Sequence, residues 1–311
     1  MQNLAETLEI LIPTYNRKPH ILRTLTQLTA PESPVRHCSI TVLDNACTDG
    51  SSDVIAQFAA RHANLKHIRH PQNIGGNANI TRAYELARKP YVWVVCDDDS
   101  FRWDAWPEIE NALQTGEYDL LLTRKDDLKG TSDIARIFRQ CTFVPAGIYR
   151  TAIITGGVLM NMYNNIPNMF PHLALTSEIL NKKGRIFLPQ GEIMDVCTFD
   201  AGTSGDGTNT RGSQTYSPPC ITHMFWTIGF LNSVQMVQDP QLRTYILDHV
   251  GNHGFFGYIV GSFRKNYTHY GGYPLNAAFV RSGLGWRQRL QFDLANLFLK
   301  ITTLFYRKKR K

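Results

Sequence analysis

The sequence predicts an α/β fold: a mostly parallel β-sheet flanked by helices, with an amphipathic helix at the C-terminal end. Three observations carry this expectation. Strand and helix signals alternate through the N-terminal third, and repeated β-α-β units give a parallel sheet covered on both faces. Each apolar strand runs into a polar loop, so four loops would meet at the sheet edge where ligands of open α/β sheets bind. From Trp286 onward, apolar residues recur at spacings of three and four, the helical period.

In order, "LEILIPT" is a short apolar strand ending at Pro13. A helix follows from Pro19 to Leu28, with Ile21, Leu22, Leu25 and Leu28 on one face. "CSITVLDN" is the second strand, and "DGSSDVIAQFAARH" is a helix with serines available as caps. "LKHIRH" is the third strand, "GNANITRAYELARK" a helix, and "YVWVVCDD" the fourth strand. The loops that end them are "PTYNR", "DNACTDG", "HPQNIGGN" and "DDDS". Further on, helical signals cover 151–160, 173–183 (stopping at Gly184) and much of 220–250, and "RIFLP" is a strand. The Gly/Ser/Thr-rich stretch 201–217 is either a lid or a plain connection. With no internal repeat or composition break, one domain over 1–285 and an appendage over 286–311 is the simplest division.

At 311 residues, 43% hydrophobic and 19% charged, the chain is of the folded class with room for a sizeable core. Its six cysteines are scattered without a CxxC pair. That excludes a disulfide framework and a zinc site, and points to reduced thiols in a cytosolic compartment. There is no signal-peptide pattern at "MQNLAETLEI" and no 18-residue uncharged apolar run for a membrane span. Residues 286–311 hold eight Lys or Arg and one Asp, which is the whole formal charge of +7. The remaining 285 residues balance to zero. A neutral body of this kind argues against a nucleic-acid groove and for one basic segment with its own task.

The stretch "YVWVVCDDDS" leads six strand-like residues into Asp97, Asp98 and Asp99. Adjacent carboxylates repel, and each loses hydration near apolar surroundings, so a cation belongs beside them. Hard oxygen ligands suit Mg2+ or Mn2+. A solvated turn is the alternative. An EF-hand is excluded by the spacing and by the absence of its Glu.

With the upstream loops, the chain resembles the family-2 glycosyltransferases of the GT-A fold, a Rossmann-like sheet. "ILIPTYNR", "VLDNACTDGSSDVI", "NIGGNANITRAYELA" and "VVCDDDS" are similar to that family's nucleotide loop, its "VDNGSTDGT" segment, its Asn-x-Gly helix and its acidic DXD motif. They occur in the family's order across residues 8–100, and within the family they look most like polysaccharide or O-antigen transferases. The resemblance implies a nucleotide-binding half over 1–100, an acceptor half over 101–285, and a nucleoside diphosphate-sugar donor. It implies Mn2+ or Mg2+ on the diphosphate, stabilising the leaving group, with Asp99 as direct ligand and Asp97 holding the ribose or metal water. Asp98 would serve either role. Asp44 would read the base edge, flanked by Pro13, Thr14 and Tyr15, and Arg17 and Asn73 would line the pocket. The family's Arg-Asn pair further along the helix is replaced by Ile80 and Thr81, with Arg82 displaced by two.

An inverting transfer needs a base for the acceptor hydroxyl. The family's acidic pair is absent, and counting back twelve residues from Gly184 reaches His172, after Pro171 near a helix start. There the helix dipole would keep the imidazole neutral, although a packed or capping histidine is the plainer reading. Glu178, which could pair with Lys182 instead, and Asp195, on a strand, are the other candidates. The implied activity is single additions to a glycan acceptor, lipid-linked, since the Q-x-x-R-W signature of processive synthases is missing. A sugar-nucleotidyltransferase would need a basic Gly-rich loop where "PTYNRK" stands. A nucleotide-sugar-binding or membrane-docking protein without a base remains a third reading.

The tail places Trp286, Leu290, Leu294, Leu297, Phe298, Ile301, Leu304 and Phe305 on one face and ends in "RKKRK". Basic amphipathic helices of this kind lie on anionic membranes. That would make the protein cytoplasmic and peripheral at the inner membrane face. Docking on the domain, or pairing between subunits, are the alternatives.

Overall fold

The apolar runs that the sequence marks as strands form the centre of one sheet. A computed structural model of the chain describes residues 3–123, 133–195, 229–250, 254–261 and 283–308. The first four strands are β1 (Leu8–Thr14), β2 (Ser39–Asp44), β3 (Leu65–Arg69) and β4 (Tyr91–Val94). After β5 (Ser100–Phe101) come β6 (Leu120–Leu122), β7 (Gly147–Arg150), β8 (Ile186–Phe187) and β9 (Met194–Asp195). The seven-stranded order is β3-β2-β1-β4-β7-β6-β8, and β5 pairs with β9 apart from it. All neighbours in the large sheet are parallel except those of β7, which is antiparallel to β4 and β6.

Side chains alternate across this sheet with the strand period of two. Leu8, Ile10 and Ile12 of β1, with Tyr91 and Trp93 of β4, face one core. That core is closed by helices Lys18–Thr29 (α2), Ser51–Arg61 (α3) and Trp106–Thr115 (α5), the short Leu4–Thr7 being α1. Leu11, Val92 and Val94 face the other core. It is closed by Gly76–Leu86 (α4), Ile134–Gln140 (α6), Gly156–Asn164 (α7) and Leu173–Asn181 (α8).

Several elements depart from expectation. The serines do not cap α3: its N-cap is Gly50 at φ 86, and Asp49 Oδ1 accepts from Ser51 N and Ser51 Oγ (3.0 and 2.6 Å). The expected helix at 151–160 starts later, at Gly156, because Thr155 caps it after the short strand β7. Strands β6 and β7 carry no alternating pattern, since both faces of the sheet are covered there. The stretch 201–217 lies outside the described residues. The C-terminal helix begins at Trp286 as expected, but it docks through Gln288, Phe292, Ala295 and Leu299, which are buried.

One buried polar contact ties the sheet to the chain entering β4. Glu9 on β1 is 7% exposed, and its Oε1 accepts the backbone N–H groups of Arg88 and Lys89. Glu9→Leu removes the acceptor from two backbone donors, which costs about 1–3 kcal/mol per unsatisfied buried group. The expected result is a lower denaturation midpoint with an unchanged slope.

Candidate active site

The strand order defines the crevice. From β1 the chain steps outward to β2 and β3, then returns to the other side of β1 as β4. The carboxyl ends of β1 and β4 therefore border the switch point, where such sheets bind ligands. In the parallel registers Thr14 is level with Asp44, and Asp44 with Arg69. Leu11 pairs with Val94, so three residues further on Thr14 stands beside Asp97. Its Oγ1 donates to Asp97 Oδ2 at 2.7 Å.

Helix α2 grips the acidic run from above. Arg17 Nη1 donates to Asp97 Oδ1 (2.5 Å) and contacts Asp98 Oδ2 (3.1 Å). Thr24 Oγ1 donates to the Asp97 carbonyl (3.0 Å), and Arg23 Nη2 donates to the Asp99 carbonyl (3.0 Å) and to Ser100 Oγ. Gln27 Oε1 accepts from Phe101 N (3.1 Å). Burial works against the Arg17 charge, but Asp97 and Asp98 outweigh it and hold the guanidinium above its ordinary pKa. His20, buried on the same face, is pushed below its ordinary value by burial and by Arg17. Thr24, Arg23 and Gln27 were not anticipated. The signal was there as polar residues at helical spacing (20, 23, 24, 27) on a helix whose other positions supply the core.

The ligand atoms of Cys96, Asp98 and Asp99 lie within 4.8 Å of one another. Burial, followed by the nearby aspartates, drives the Cys96 thiol well above its ordinary pKa. Asp98 and Asp99 contribute two carboxylates, hard donors that fit Mg2+ or Mn2+. Asp99 was expected as the direct ligand, with Asp97 on the ribose or a metal water and Asp98 in either role. In the structure Asp98 and Asp99 are grouped with Cys96, while both oxygens of Asp97 have partners in Thr14 and Arg17.

Asp44, expected at the base edge, is fully buried. Its Oδ1 accepts from Cys47 N (2.8 Å), and its Oδ2 meets Ser52 Oγ, His67 Nε2 (3.0 Å) and Arg69 Nε (3.5 Å). Burial opposes its charge, but hydrogen bonds from Ser52 and Cys47 hold its pKa below the ordinary carboxylate value. In this arrangement both oxygens have protein partners, and the residue braces the rim from beneath. Asn73 Oδ1 accepts from Asn45 Nδ2 and Gly75 N (2.8 Å each), which locks the second loop to the third. Gly75, at φ 89 and ψ 153, occupies a region open in practice only to glycine. Pro13 and Tyr15 are half-buried at the rim.

Of the three candidate bases, His172 does stand at the start of α8, but it is 1% exposed. Its Nε2 bonds to the carbonyls of Cys141 (2.9 Å) and Thr142 (3.1 Å), so that nitrogen carries the proton. Burial lowers its pKa to about 4. A group sealed from solvent cannot reach an acceptor hydroxyl, and the expectation is corrected: His172 is a packing residue. Glu178 is paired with Lys182 Nζ at 2.8 Å. Asp195 lies on β9, in register with Ser100, so its backbone sits one residue beyond the acidic run.

Known proteins share the family sequence pattern and the fold. Residues 9–184 match the family "Glycosyl transferase family 2". The abequosyltransferase RfbV of Salmonella typhimurium is 28% identical over 116 residues, covering 37% of this chain and 35% of that protein. The chain spans about a third of the length of the first such relatives it matches. Residues 1–349 of S. aureus TarS in complex with UDP-GlcNAc superpose with a TM-score of 0.54 at 14% identity, over 93% of this chain and 79% of that one. The mannosyltransferase PcManGT from Pyrobaculum calidifontis, in complex with GDP-Man and Mn2+, gives 0.56 at 13% identity over 96% and 86%. The structural likenesses establish the GT-A fold, and the match over more than half of the chain makes it a member of glycosyl transferase family 2.

Proposed function

We propose that the chain is a metal-dependent, inverting glycosyltransferase that moves a sugar from a nucleoside diphosphate-sugar to a glycan acceptor, lipid-linked, in surface polysaccharide synthesis. The observation that carries this is the acidic run held at the switch-point crevice, with Asp98 and Asp99 grouped for a hard cation. Related proteins supply the substrate class: the TarS structure contains UDP-GlcNAc and the PcManGT structure GDP-Man with Mn2+. RfbV is an abequosyltransferase.

Asp98 and Asp99 would hold a divalent ion, which would supply Lewis-acid stabilisation of the departing diphosphate. Thr14 and Thr24 keep the run in place, and Arg17 lies within reach of the same charge. Pro13 and Tyr15 flank the nucleotide, with Asn73 at its border. We assign the base to Asp195, whose register beside Ser100 brings it to the run. It takes the proton of the acceptor hydroxyl as that oxygen bonds to the anomeric carbon. The bond from that carbon to the diphosphate breaks, and its electron pair leaves with the phosphate.

The C-terminal helix supports a membrane role. With Phe292, Ala295 and Leu299 turned inward, the face bearing Trp286, Leu290, Leu294, Leu297, Phe298 and Ile301 remains exposed, Trp286 at 80%. Phe256 extends it by packing on Phe298 (ring centroids 6.3 Å apart). Arg287, Arg289 and Lys300 flank that face in solvent. No helix among the described residues is long and apolar enough to cross a membrane. An interfacial seat at the cytoplasmic face of an anionic membrane fits this surface, and a lipid-linked acceptor would be met there.

Four measurements check the site and the tail. Asp99→Asn is expected to lower kcat for transfer from a labelled nucleotide-sugar by about a hundredfold or more, and full activity would remove the metal role. Asp195→Asn is expected to lose about 10²–10⁴-fold as a missing base, whereas His172→Gln keeps most of the activity. His172→Gln should also flatten the acid limb of stability. The unfolded histidine binds a proton below its ordinary 6.5, and the folded one only near 4. Its contribution is therefore complete above pH 6.5 and lost as pH falls toward 4. Finally, Leu290→Glu with Leu297→Glu should abolish flotation on anionic liposomes while leaving the melting temperature unchanged. Undiminished flotation would remove the membrane role.

A further inference from the structure

Asp98 is claimed twice. Its carboxylate belongs to the group with Asp99 that fits a divalent ion, and it also lies 3.1 Å from Arg17 Nη1. The same nitrogen is 2.5 Å from Asp97. We propose that Arg17 is a built-in substitute cation: it holds Asp97 and Asp98 in the donor-free protein, and moves off Asp98 when metal and diphosphate enter together. This rests on the reading of the site as one for a metal and a nucleoside diphosphate.

The electrostatics support the exchange. Three successive carboxylates at a strand end, two of them almost fully buried, need a positive charge before any ligand arrives. Arg17 supplies it. A divalent ion on Asp98 and Asp99 would stand within a few ångströms of that guanidinium, and like charges so close repel strongly. One of the two cations therefore has to move. Arg17 is the N-cap of α2, ahead of its first turn. A diphosphate offers it acceptors in place of the Asp98 carboxylate. The run does not collapse when Arg17 leaves Asp98. Thr14 still holds the Asp97 side chain, while Thr24 and Arg23 still hold the Asp97 and Asp99 carbonyls.

The consequence is coupling. The metal alone competes with Arg17 and binds weakly, and a diphosphate that draws Arg17 away strengthens it. By reciprocity, the metal strengthens the diphosphate by the same factor. Such a device would keep the ion out of the site until a donor is present.

The test is Mn2+ binding by the full chain, read from the electron paramagnetic resonance of free Mn2+, with and without UDP or GDP. Wild type is expected to bind Mn2+ at least about tenfold more tightly with nucleotide than without. Arg17→Gln is expected to bind Mn2+ without nucleotide about tenfold more tightly than wild type, and to gain less from nucleotide. Its melting temperature should also rise more on adding Mn2+. If Arg17→Gln does not fold, Arg17→Lys, whose ammonium lacks the planar fork, is expected to shift the same way by a smaller factor. Equal nucleotide-free Mn2+ affinity in wild type and in whichever variant folds overturns the exchange and leaves the metal site standing. No Mn2+ binding by any variant, with or without nucleotide, overturns the metal reading and the exchange with it.

Discussion

Burying a carboxylate at position 97 is the constraint around which the site is built. Asp97 is 4% exposed, and an ionised group so placed survives only with charge or hydrogen bonds on each oxygen. Both are supplied by the loop after β1: the Thr14 hydroxyl on one oxygen, the Arg17 guanidinium on the other. Parallel pairing puts Thr14 level with Asp44 on one side and beside Asp97 on the other. Arg69, Asp44, Thr14 and Asp97 thus form one polar rung across the ends of four strands, above a largely apolar core. Positive and neutral donors alternate with carboxylates along it, so the rim resists self-repulsion before any ligand binds.

Helix α2 has two functions written into one amphipathic pattern. Ile21, Leu25 and Leu28 close the core, while Thr24, Arg23 and Gln27 reach the backbone of the acidic run. Those contacts are to carbonyls, an N–H and the Ser100 hydroxyl, not to the carboxylates. The run is therefore positioned by its main chain as well as by the Thr14 and Arg17 contacts to Asp97.

The first hundred residues were legible because their physics is local. Each strand is a short apolar run, each helix has a period near 3.6, and each polar loop follows a strand end. The residues that matter at longer range were less so. Asp44 reads, through the family resemblance, as a group facing the base edge, and the parallel register to β3 brings His67 and Arg69 onto it. His172 reads as a helix-start base, but two carbonyls far back in the chain, at Cys141 and Thr142, enclose it. In the tail the sequence shows one strong apolar stripe, and it is the weaker one, Phe292, Ala295 and Leu299, that docks. A helix period shows that a face is apolar without showing what will cover it.

Asp195 shows the same limit from the other side. Two residues of β9 pair with two of β5, a contact too short to leave any alternation in the sequence. It is nevertheless anchored. Arg102 N–H donates to the Ile193 carbonyl (2.8 Å), and Ile193 N–H donates to the Thr123 carbonyl at the end of β6 (3.0 Å). Ile193 and Met194 are fully buried. The chain before Asp195 is thus clamped between the segment that follows the acidic run and the last strands of the large sheet. The second sheet, and not the length of the intervening chain, therefore sets where the backbone of Asp195 lies relative to the run.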